Sequence, residues 1–216
     1  MKLDLHTATY EQFVTFVFDH YPEDEVDDKW YWKSGAELEI EPRRAVGYLT
    51  RVLVGGAELL NSYTQRQIAE GLDYLIGGAA SELLDLLWSP EVPWPDRQRC
   101  ILSIPQIYKD VLEQDPDGVG GCAYMLWDWV AFGYQSGRHK PETDAEAARV
   151  QDAMFAALKA MLNSSHRETQ VGALHGLGHL SHRDSARTIQ QFLASDHPAD
   201  AKVREYAGKV LEGHFL

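Results

Sequence analysis

The sequence predicts an all-α fold in which about nine or ten helices stack as helical hairpins, in the manner of an α-solenoid. Apolar residues recur at spacings of three and four along most of the chain. Proline and glycine interrupt this pattern where short connections between helices would lie. A pattern of 31 to 34 residues also recurs in the last third of the chain. Residues 37–40 could be extended, but no sheet is expected.

The first three helices have recognisable ends. Thr9 is a candidate N-cap for the first helix, which should end near His20 because Pro22 disfavours helix in the residue before it. Pro42 suits the first turn of the second helix, and Gly55-Gly56 should end it. The third helix is expected from Thr64 to Ile76, with Gly77-Gly78 as its stop.

Proline organises the middle of the chain. A short helix is expected over 80–88, followed by a linker-like stretch with prolines at 90, 93 and 95, in which Trp94 should pin the loop to the body. The next helix should run over 95–113, and Pro105 should kink it or split it in two. A glycine-rich turn, an apolar helix and a second candidate boundary are then expected at 115–121, 124–134 and 136–141. Thr143 and Glu146 fit a capping box for a helix over 143–163.

The last third repeats a helix pair. Leu162 and Leu193 close the first helices of two successive pairs and lie 31 residues apart, whereas Ala173 and Ala207 lie 34 apart on the second helices. A longer turn near 196–200 accounts for the difference. A repeat of this length, built from helix pairs, is typical of an α-solenoid.

The second helices of these pairs carry a family resemblance. Val203-Arg204-Glu205-Tyr206-Ala207 and the segment 173–178 resemble HEAT-like repeats of the phycobilin-lyase type, over residues 150–216. Thr169-Gln170 departs from this pattern, since the family often has Val-Arg there. The resemblance implies a curved stack of hairpins that binds proteins, and it implies no chemistry. The chain is accordingly divided into an irregular helical region, 1–140, and a HEAT-like region, 141–216, within one continuous domain.

Enzymatic HEAT-like families fit this sequence poorly. The deoxyhypusine hydroxylase type binds iron through His-Glu dipeptides, and this chain has none. The DNA glycosylase type needs a basic groove, whereas this chain has 33 acidic and 20 basic residues and a net charge of −13. Serine-nucleophile and phosphate-loop motifs are also absent. The sequence therefore predicts no catalytic residue and no cofactor.

Three histidines form the pattern best suited to chemistry. On a helix, His175, His179 and His182 fall with Glu168 on the side opposite the apolar seam, so we expect them to point away from that seam, toward a side that in a solenoid lines a concave binding surface. Histidines four residues apart can share one zinc ion. His182 and Glu168 each lie about 10.5 Å along the axis from His175, which makes both poor further ligands. A metal site would therefore use His175, His179 and an acid from another helix. An ordinary polar face and a protein contact are the alternatives.

An acidic loop forms the other candidate site. Beside Trp30 and Trp32 lie five acidic residues: Glu23, Asp24, Glu25, Asp27 and Asp28. The simplest interpretation is a solvated loop, but aromatic anchors ringed by charge are also typical of protein interfaces.

Charge and composition decide between classes of partner. The acidic surface repels nucleic acid and anionic lipid and favours a basic protein. The N-terminus lacks the pattern of an export signal, and no apolar run approaches 18 residues, so a cytoplasmic protein is expected. Cys100 and Cys122 fit buried free thiols in a reducing compartment. The leading hypothesis is a protein-binding module, such as an inhibitor or immunity-type protein with a basic partner. The alternative is a metal-binding protein or metal-dependent hydrolase that uses the histidines.

Overall fold

The computed structural model describes residues 1–20, 29–76, 81–114, 116–196 and 199–214, with the backbone alone over 116–125. Over these ranges the protein is mostly helical, which confirms the all-α prediction. The elements in chain order are β1 (Lys2–Asp4), α1 (Tyr10–Phe18), α2 (Trp30–Ser34), β2 (Glu37–Glu39), α3 (Pro42–Val54), α4 (Gly56–Ser62), α5 (Gln65–Ile76), a 3₁₀ turn (Leu83–Leu87), α6 (Trp94–Ile107), a π-helical segment (Tyr108–Leu112), α7 (Pro116–Gln135), α8 (Ala145–Met161), α9 (Arg167–Leu180), α10 (Ser185–Ala194) and α11 (Ala201–Leu211).

The predicted starts of α1 and α3 are confirmed. Thr9 caps α1: its hydroxyl accepts from the Gln12 N–H at 3.3 Å, and the Gln12 side-chain oxygen accepts from the Thr9 N–H at 2.8 Å. Pro42 opens α3, where its missing N–H removes no hydrogen bond, and the Glu41 carboxylate caps that helix through the Arg44 N–H at 2.6 Å.

Two boundaries in the first half differ from the prediction. Gly55 ends α3, but α4 begins at Gly56 instead of a longer loop. A Cβ at Gly56 would lie 2.8 Å from Val111 Cγ2, so the absence of a side chain lets α4 pack closely on the π-helical segment. The helix expected over 80–88 is a 3₁₀ turn from Leu83 to Leu87. The predicted stop at Gly77-Gly78 lies outside the described residues.

The proline-rich stretch before α6 is fastened to the body by Arg97. This buried guanidinium donates to the carbonyls of Val92 and Leu87, at 2.9 and 3.2 Å, and lies 2.6 Å from the Glu146 carboxylate at the start of α8. The Trp94 ring lies against the same guanidinium at 5.5 Å. Trp94 therefore contributes to pinning the loop, as expected, but the hydrogen bonds come from Arg97.

Pro105 divides the helix over residues 94–112 into two kinds of helix. Proline has no N–H and its ring disturbs the preceding turn, so regular α-helical bonding is interrupted around it. The chain continues with the wider π spacing, in which the Glu113 N–H donates to the Tyr108 carbonyl at 2.8 Å. The Glu113 carboxylate then accepts from the hydroxyls of Ser164 and Thr169, each at 2.7 Å. The chain thus stays helical through Pro105 and changes helix type after Ile107.

The prediction of a glycine-rich turn over 115–121 is wrong, because α7 already begins at Pro116. Proline is favourable at a first helical position. Each interior glycine costs a helix about 1 kcal/mol relative to alanine. Packing of α7 against α5 and α9 offsets that cost, since tertiary burial supplies most helical stability in a folded protein.

The capping box predicted for α8 is also wrong. Asp144 is the N-cap, and its Oδ1 accepts from the N–H groups of Glu146 and Ala147 at 2.9 and 3.3 Å. A carboxylate one residue closer to the helix competes successfully with the Thr143 hydroxyl, since it also interacts favourably with the helix dipole.

A small sheet corrects the expectation that residues 37–40 pair with nothing. β1 and β2 are parallel, with Lys2 opposite Glu37 and Asp4 opposite Glu39. An ion pair between Lys2 and Glu39 at 2.9 Å lies along its edge. Three-residue strands carry too little alternation to be recognised from sequence.

The helices pack in two series. In one series α6 lies between α3 and α8, and in the other α5, α7, α9 and α11 are successive neighbours. Contacts between α8 and α9 and between α10 and α11 join helices that are consecutive in the chain. Buried apolar side chains from Leu5 to Val210 form one continuous cluster. Among the described helices, none is both long enough and apolar enough to cross a bilayer.

Candidate metal centre

Helix α9 carries two histidines one turn apart and lies between two other helices. His175 and His179 are separated by about 6 Å along the axis. α7 packs on one side of α9 and α11 on another. Gly176 allows this close approach, because a Cβ there would lie 2.9 Å from Trp127 Cγ on α7 and 2.6 Å from Leu158 Cδ2 on α8.

Both histidines are buried, so the side of α9 opposite its apolar seam is not the open polar surface that was expected. Their side chains are only 10% and 4% exposed. The helical-wheel argument placed them opposite the apolar seam of their own helix, but α7 and α11 also pack against α9. A helix with neighbours on several sides has little free surface, and a wheel drawn from one helix does not reveal this.

Asp128 on α7 meets both imidazoles. Its Oδ1 lies 2.5 Å from His175 Nε2 and 3.1 Å from His179 Nε2, and the two Nε2 atoms are 3.2 Å apart. Three atoms able to bind a metal therefore converge from two helices. The acid that a two-histidine site requires from another helix is present at Asp128.

The other ring nitrogens are held by neighbouring helices. His175 Nδ1 lies 2.8 Å from the Tyr206 hydroxyl on α11. His179 Nδ1 donates to the side-chain oxygen of Gln135 on α7, which leaves its Nε2 lone pair directed at Asp128 and His175. Such outer hydrogen bonds fix the orientation and the tautomer of an imidazole.

The electrostatics keep His179 neutral. Burial lowers its pKa below the ordinary value, and the neighbouring His175 ring lowers it further, while the Asp128 carboxylate opposes both effects. A neutral imidazole has a lone pair available to a metal ion.

When both imidazole rings are neutral, the contacts allow two arrangements of protons. In the first, the Tyr206 hydroxyl donates to His175 Nδ1, and the His175 Nε2–H donates to Asp128. In the second, His175 Nδ1–H donates to Tyr206, and three lone pairs then face one another. The second arrangement requires a cation among them, because three acceptors within about 3 Å repel each other. Moving one proton across the His175 ring converts the first arrangement into the second.

The cluster is open on one side. The Asp128 side chain is 32% exposed, in contrast to both histidines. Phe132 follows Asp128 by one turn of α7, is 54% exposed, and its ring lies edge-to-face with His179 at 6.3 Å between centroids. The partly exposed Asp128 side chain and the exposed Phe132 ring therefore lie between the cluster and the protein surface.

His182 lies outside the cluster, because the helix that carries the other two histidines ends before it. α9 ends at Leu180, and Ser181 turns the chain with a φ of 50°. His182 Nε2 then lies 3.0 Å from Asp152 on α8, its Nδ1 accepts from the Asp184 N–H, and its ring stacks on Phe155. Both ring nitrogens are thus committed to structure. Glu168 remains two turns before His175, in the first turn of α9.

The structure describes the two tryptophans of the acidic-loop site but not its acidic residues. Its five acids, Glu23, Asp24, Glu25, Asp27 and Asp28, lie outside the described residues. Trp30 is not available as an anchor, because it is 9% exposed and stacks on His20 at 3.7 Å. Trp32, in contrast, is 59% exposed.

Sequence reasoning missed Asp128, Gln135 and Tyr206. A signal existed for the first of these, since Asp128 is the sole charged residue of the predicted helix over 124–134. A carboxylate in an apolar helix needs a buried partner. Nothing in the sequence marks Tyr206 or Gln135.

A second group of possible ligands, Asp4, His6 and Glu39, lies at the sheet edge and is less suitable. His6 Nδ1 and Asp4 Oδ1 are 3.0 Å apart, and Glu39 is engaged by Lys2. The Asp4 and Glu39 side chains and the His6 ring are between 41% and 54% exposed, so water competes with any ion there.

Comparisons of the chain with models of protein families, with curated proteins and with solved structures find no match.

Proposed function

We propose that this protein binds a divalent transition-metal ion, of the zinc class, through Asp128, His175 and His179. The observation that carries the proposal is the convergence of one carboxylate oxygen and two imidazole nitrogens at separations of 2.5 to 3.2 Å. Ligands bound tetrahedrally at 2.0–2.1 Å lie about 3.3 Å apart. Two of the three separations match that value, and the third requires the Asp128 carboxylate to move by less than about 1 Å.

The donor atoms select the kind of metal. Two imidazole nitrogens and one carboxylate oxygen suit zinc and its neighbours in the first transition series. Calcium and magnesium prefer shells made of oxygen alone. The positions of Tyr206 and Gln135 support the proposal, because metal-binding histidines usually donate their second N–H to a neighbouring oxygen, and the Tyr206 hydroxyl and the Gln135 side-chain oxygen lie where they can accept it.

Metal analysis of untagged protein tests this proposal. Purified protein should bind one zinc ion per chain, measured by competition with a chromophoric chelator, and should give the absorption bands of tetrahedral cobalt when Co²⁺ replaces zinc. Asp128→Asn and His179→Gln should each remove stoichiometric binding. Zinc at 100 times its Kd should also stabilise the fold by about 2.7 kcal/mol.

His182→Gln provides the matched control. It disrupts another buried histidine that is paired with an aspartate, but it leaves the cluster intact. Its zinc stoichiometry should equal that of the wild type. Equal loss of zinc in the His179 and His182 variants, or no stoichiometric zinc in the wild type, refutes the proposal.

A second candidate function, the binding of a basic cytoplasmic protein, has separate support. The chain has a net charge of −13, and it exposes the large aromatic side chains of Trp32, Trp129 and Phe132. An acidic surface with aromatic anchors suits a basic protein better than nucleic acid or a membrane. A partner of this kind should bind more weakly as salt increases and should lose affinity with Trp32→Ala. A salt-independent partner would count against it.

We further propose that residues 141–216 form HEAT-like repeats of an α-solenoid. Support comes from the succession α5, α7, α9, α11 as neighbours and from the consecutive pairs α8–α9 and α10–α11. Both features are expected where each hairpin contacts mainly its neighbours. A crystal structure tests the proposal, and successive hairpins that do not rotate in one common sense would refute it.

A further inference from the structure

The metal site proposed above has an incomplete set of protein ligands. Among the described residues, the cluster contains three ligating side chains. Structural zinc sites generally have four protein ligands, whereas sites that act on external molecules keep one position open. The open position would lie on the side of Asp128, since the carboxylate is partly exposed and both imidazoles are buried.

The charge at this position favours an anion. A divalent cation bound by one carboxylate and two neutral imidazoles has a net charge of +1. One singly charged oxygen donor would neutralise it. The strongly negative charge of the whole chain disfavours polyanions over a distance, so a small monoanion fits better than a polyphosphate or nucleic acid.

An apolar surface borders the same opening. The Phe132 ring is more than half exposed, follows Asp128 by one turn of α7 and contacts the His179 ring. A ligand whose anionic group reaches the metal can place an apolar or aromatic group on this ring. Aromatic pairs prefer edge-to-face or offset-stacked contacts with centroids 4.5–7 Å apart.

We propose that the open position takes the carboxylate of a small aromatic or apolar carboxylic acid, whose apolar part lies on Phe132. The inference rests on the proposed metal site and names the ligand class of that site. The carboxylate replaces a water molecule on the metal, and the exposed face of Phe132 selects aromatic acids over acetate.

Cobalt-substituted protein tests this inference directly, because Co²⁺ reports both binding of the metal and replacement of its fourth ligand. Benzoate, acetate and inorganic phosphate are titrated separately while the visible spectrum is recorded. Benzoate should change the cobalt bands and bind about three- to tenfold more tightly than acetate, the range expected for one aromatic contact. Phosphate should bind no more tightly than acetate.

Two variants locate the contact. Phe132→Ala should retain cobalt and bind benzoate and acetate with equal affinity. Trp129→Ala is the matched control, since it removes another exposed aromatic side chain from the same helix, and it should preserve the preference. Both positions are exposed, so circular dichroism should show an unchanged fold.

The possible failures are distinguishable. Absence of cobalt bands in the wild type refutes the metal site itself. Cobalt bands that no anion alters leave the metal site standing and overturn the inference. Equal binding of benzoate and acetate, or a preference that survives Phe132→Ala, also overturns it.

Discussion

Alanine at Gly176 should destabilise the protein, whereas alanine at Gly208 should stabilise it. Both glycines lie inside helices, where alanine is intrinsically better by about 1 kcal/mol. A Cβ at Gly208 meets nothing within 4 Å, so that gain should be realised. A Cβ at Gly176 would lie 2.6 Å from Leu158 Cδ2 and 2.9 Å from Trp127 Cγ, where ordinary carbon contacts are about 3.5–4.0 Å.

The size of the effect depends on which neighbour can move. The Leu158 methyl group is at the end of a flexible side chain, but Trp127 is fully buried and its ring cannot shift by about 0.5 Å without displacing others. Overpacking of this kind costs about 1–3 kcal/mol, and the fixed Trp127 ring puts this site in the upper part of that range, at about 2–3 kcal/mol. After subtraction of the helical gain, Gly176→Ala should lose about 1–2 kcal/mol of unfolding free energy, and the two variants should differ by about 2–3 kcal/mol.

Urea unfolding of the two variants and the wild type measures this difference. In thermal melts, each 1 kcal/mol should shift Tm by about 2–4 °C for a chain of this size. Gly176→Ala should also weaken zinc binding, because pushing α9 away from α7 separates both imidazoles from Asp128. A Gly176→Ala protein that is as stable as the wild type, beside a stabilised Gly208→Ala protein, would refute the close approach of α9 to α7.

Three further predictions concern buried or partly buried polar groups. Arg97→Met should lower the unfolding free energy by about 2–4 kcal/mol in urea, because it removes two hydrogen bonds to carbonyls and the nearer of the two cations beside the Glu146 carboxylate; a loss below about 1 kcal/mol would contradict it. Burial raises the pKa of the Cys100 thiol to about 12, so in a Cys122→Ser background it should react with a thiol reagent only after unfolding. Burial lowers the pKa of His139, so the unfolded chain takes up a proton first as pH falls below about 6.5. Stability present above that pH should therefore be lost on acidification, and less steeply in His139→Phe; parallel pH profiles of the two proteins would exclude this role.

The helix ends that depend on local chemistry were predictable. Thr9 acts through its own hydrogen bonds and Pro42 through its missing N–H, and a single sequence contains that information. The start of α7 was not predictable in the same way, because its glycines are locally unfavourable and only the packing of α5 and α9 makes them acceptable.

The sequence predicts which histidines could share a ligand, but it does not predict their burial or their partners. The spacing of His175 and His179 indicates a shared ligand without knowledge of the fold. Their burial and their partners depend on which helices cover α9, and this is set by contacts between residues 44 to 47 positions apart. Trp30 and Trp32 illustrate the same limit, since two neighbouring tryptophans of one short helix have opposite exposure.

The π-helical segment Tyr108–Leu112 accommodates one residue more than an α-helical turn would. A π turn holds about one residue more than an α turn, so deletion of the exposed Lys109 should restore ordinary helical geometry while keeping the chain ends nearly in place. A deletion inside a regular α-helix would instead rotate everything after it by about 100°. In the π segment, Glu113 should therefore keep facing the Ser164 and Thr169 hydroxyls after the deletion. The π turn thus makes this point of the helix tolerant of a change in length by one residue, which a deletion two turns earlier would not be.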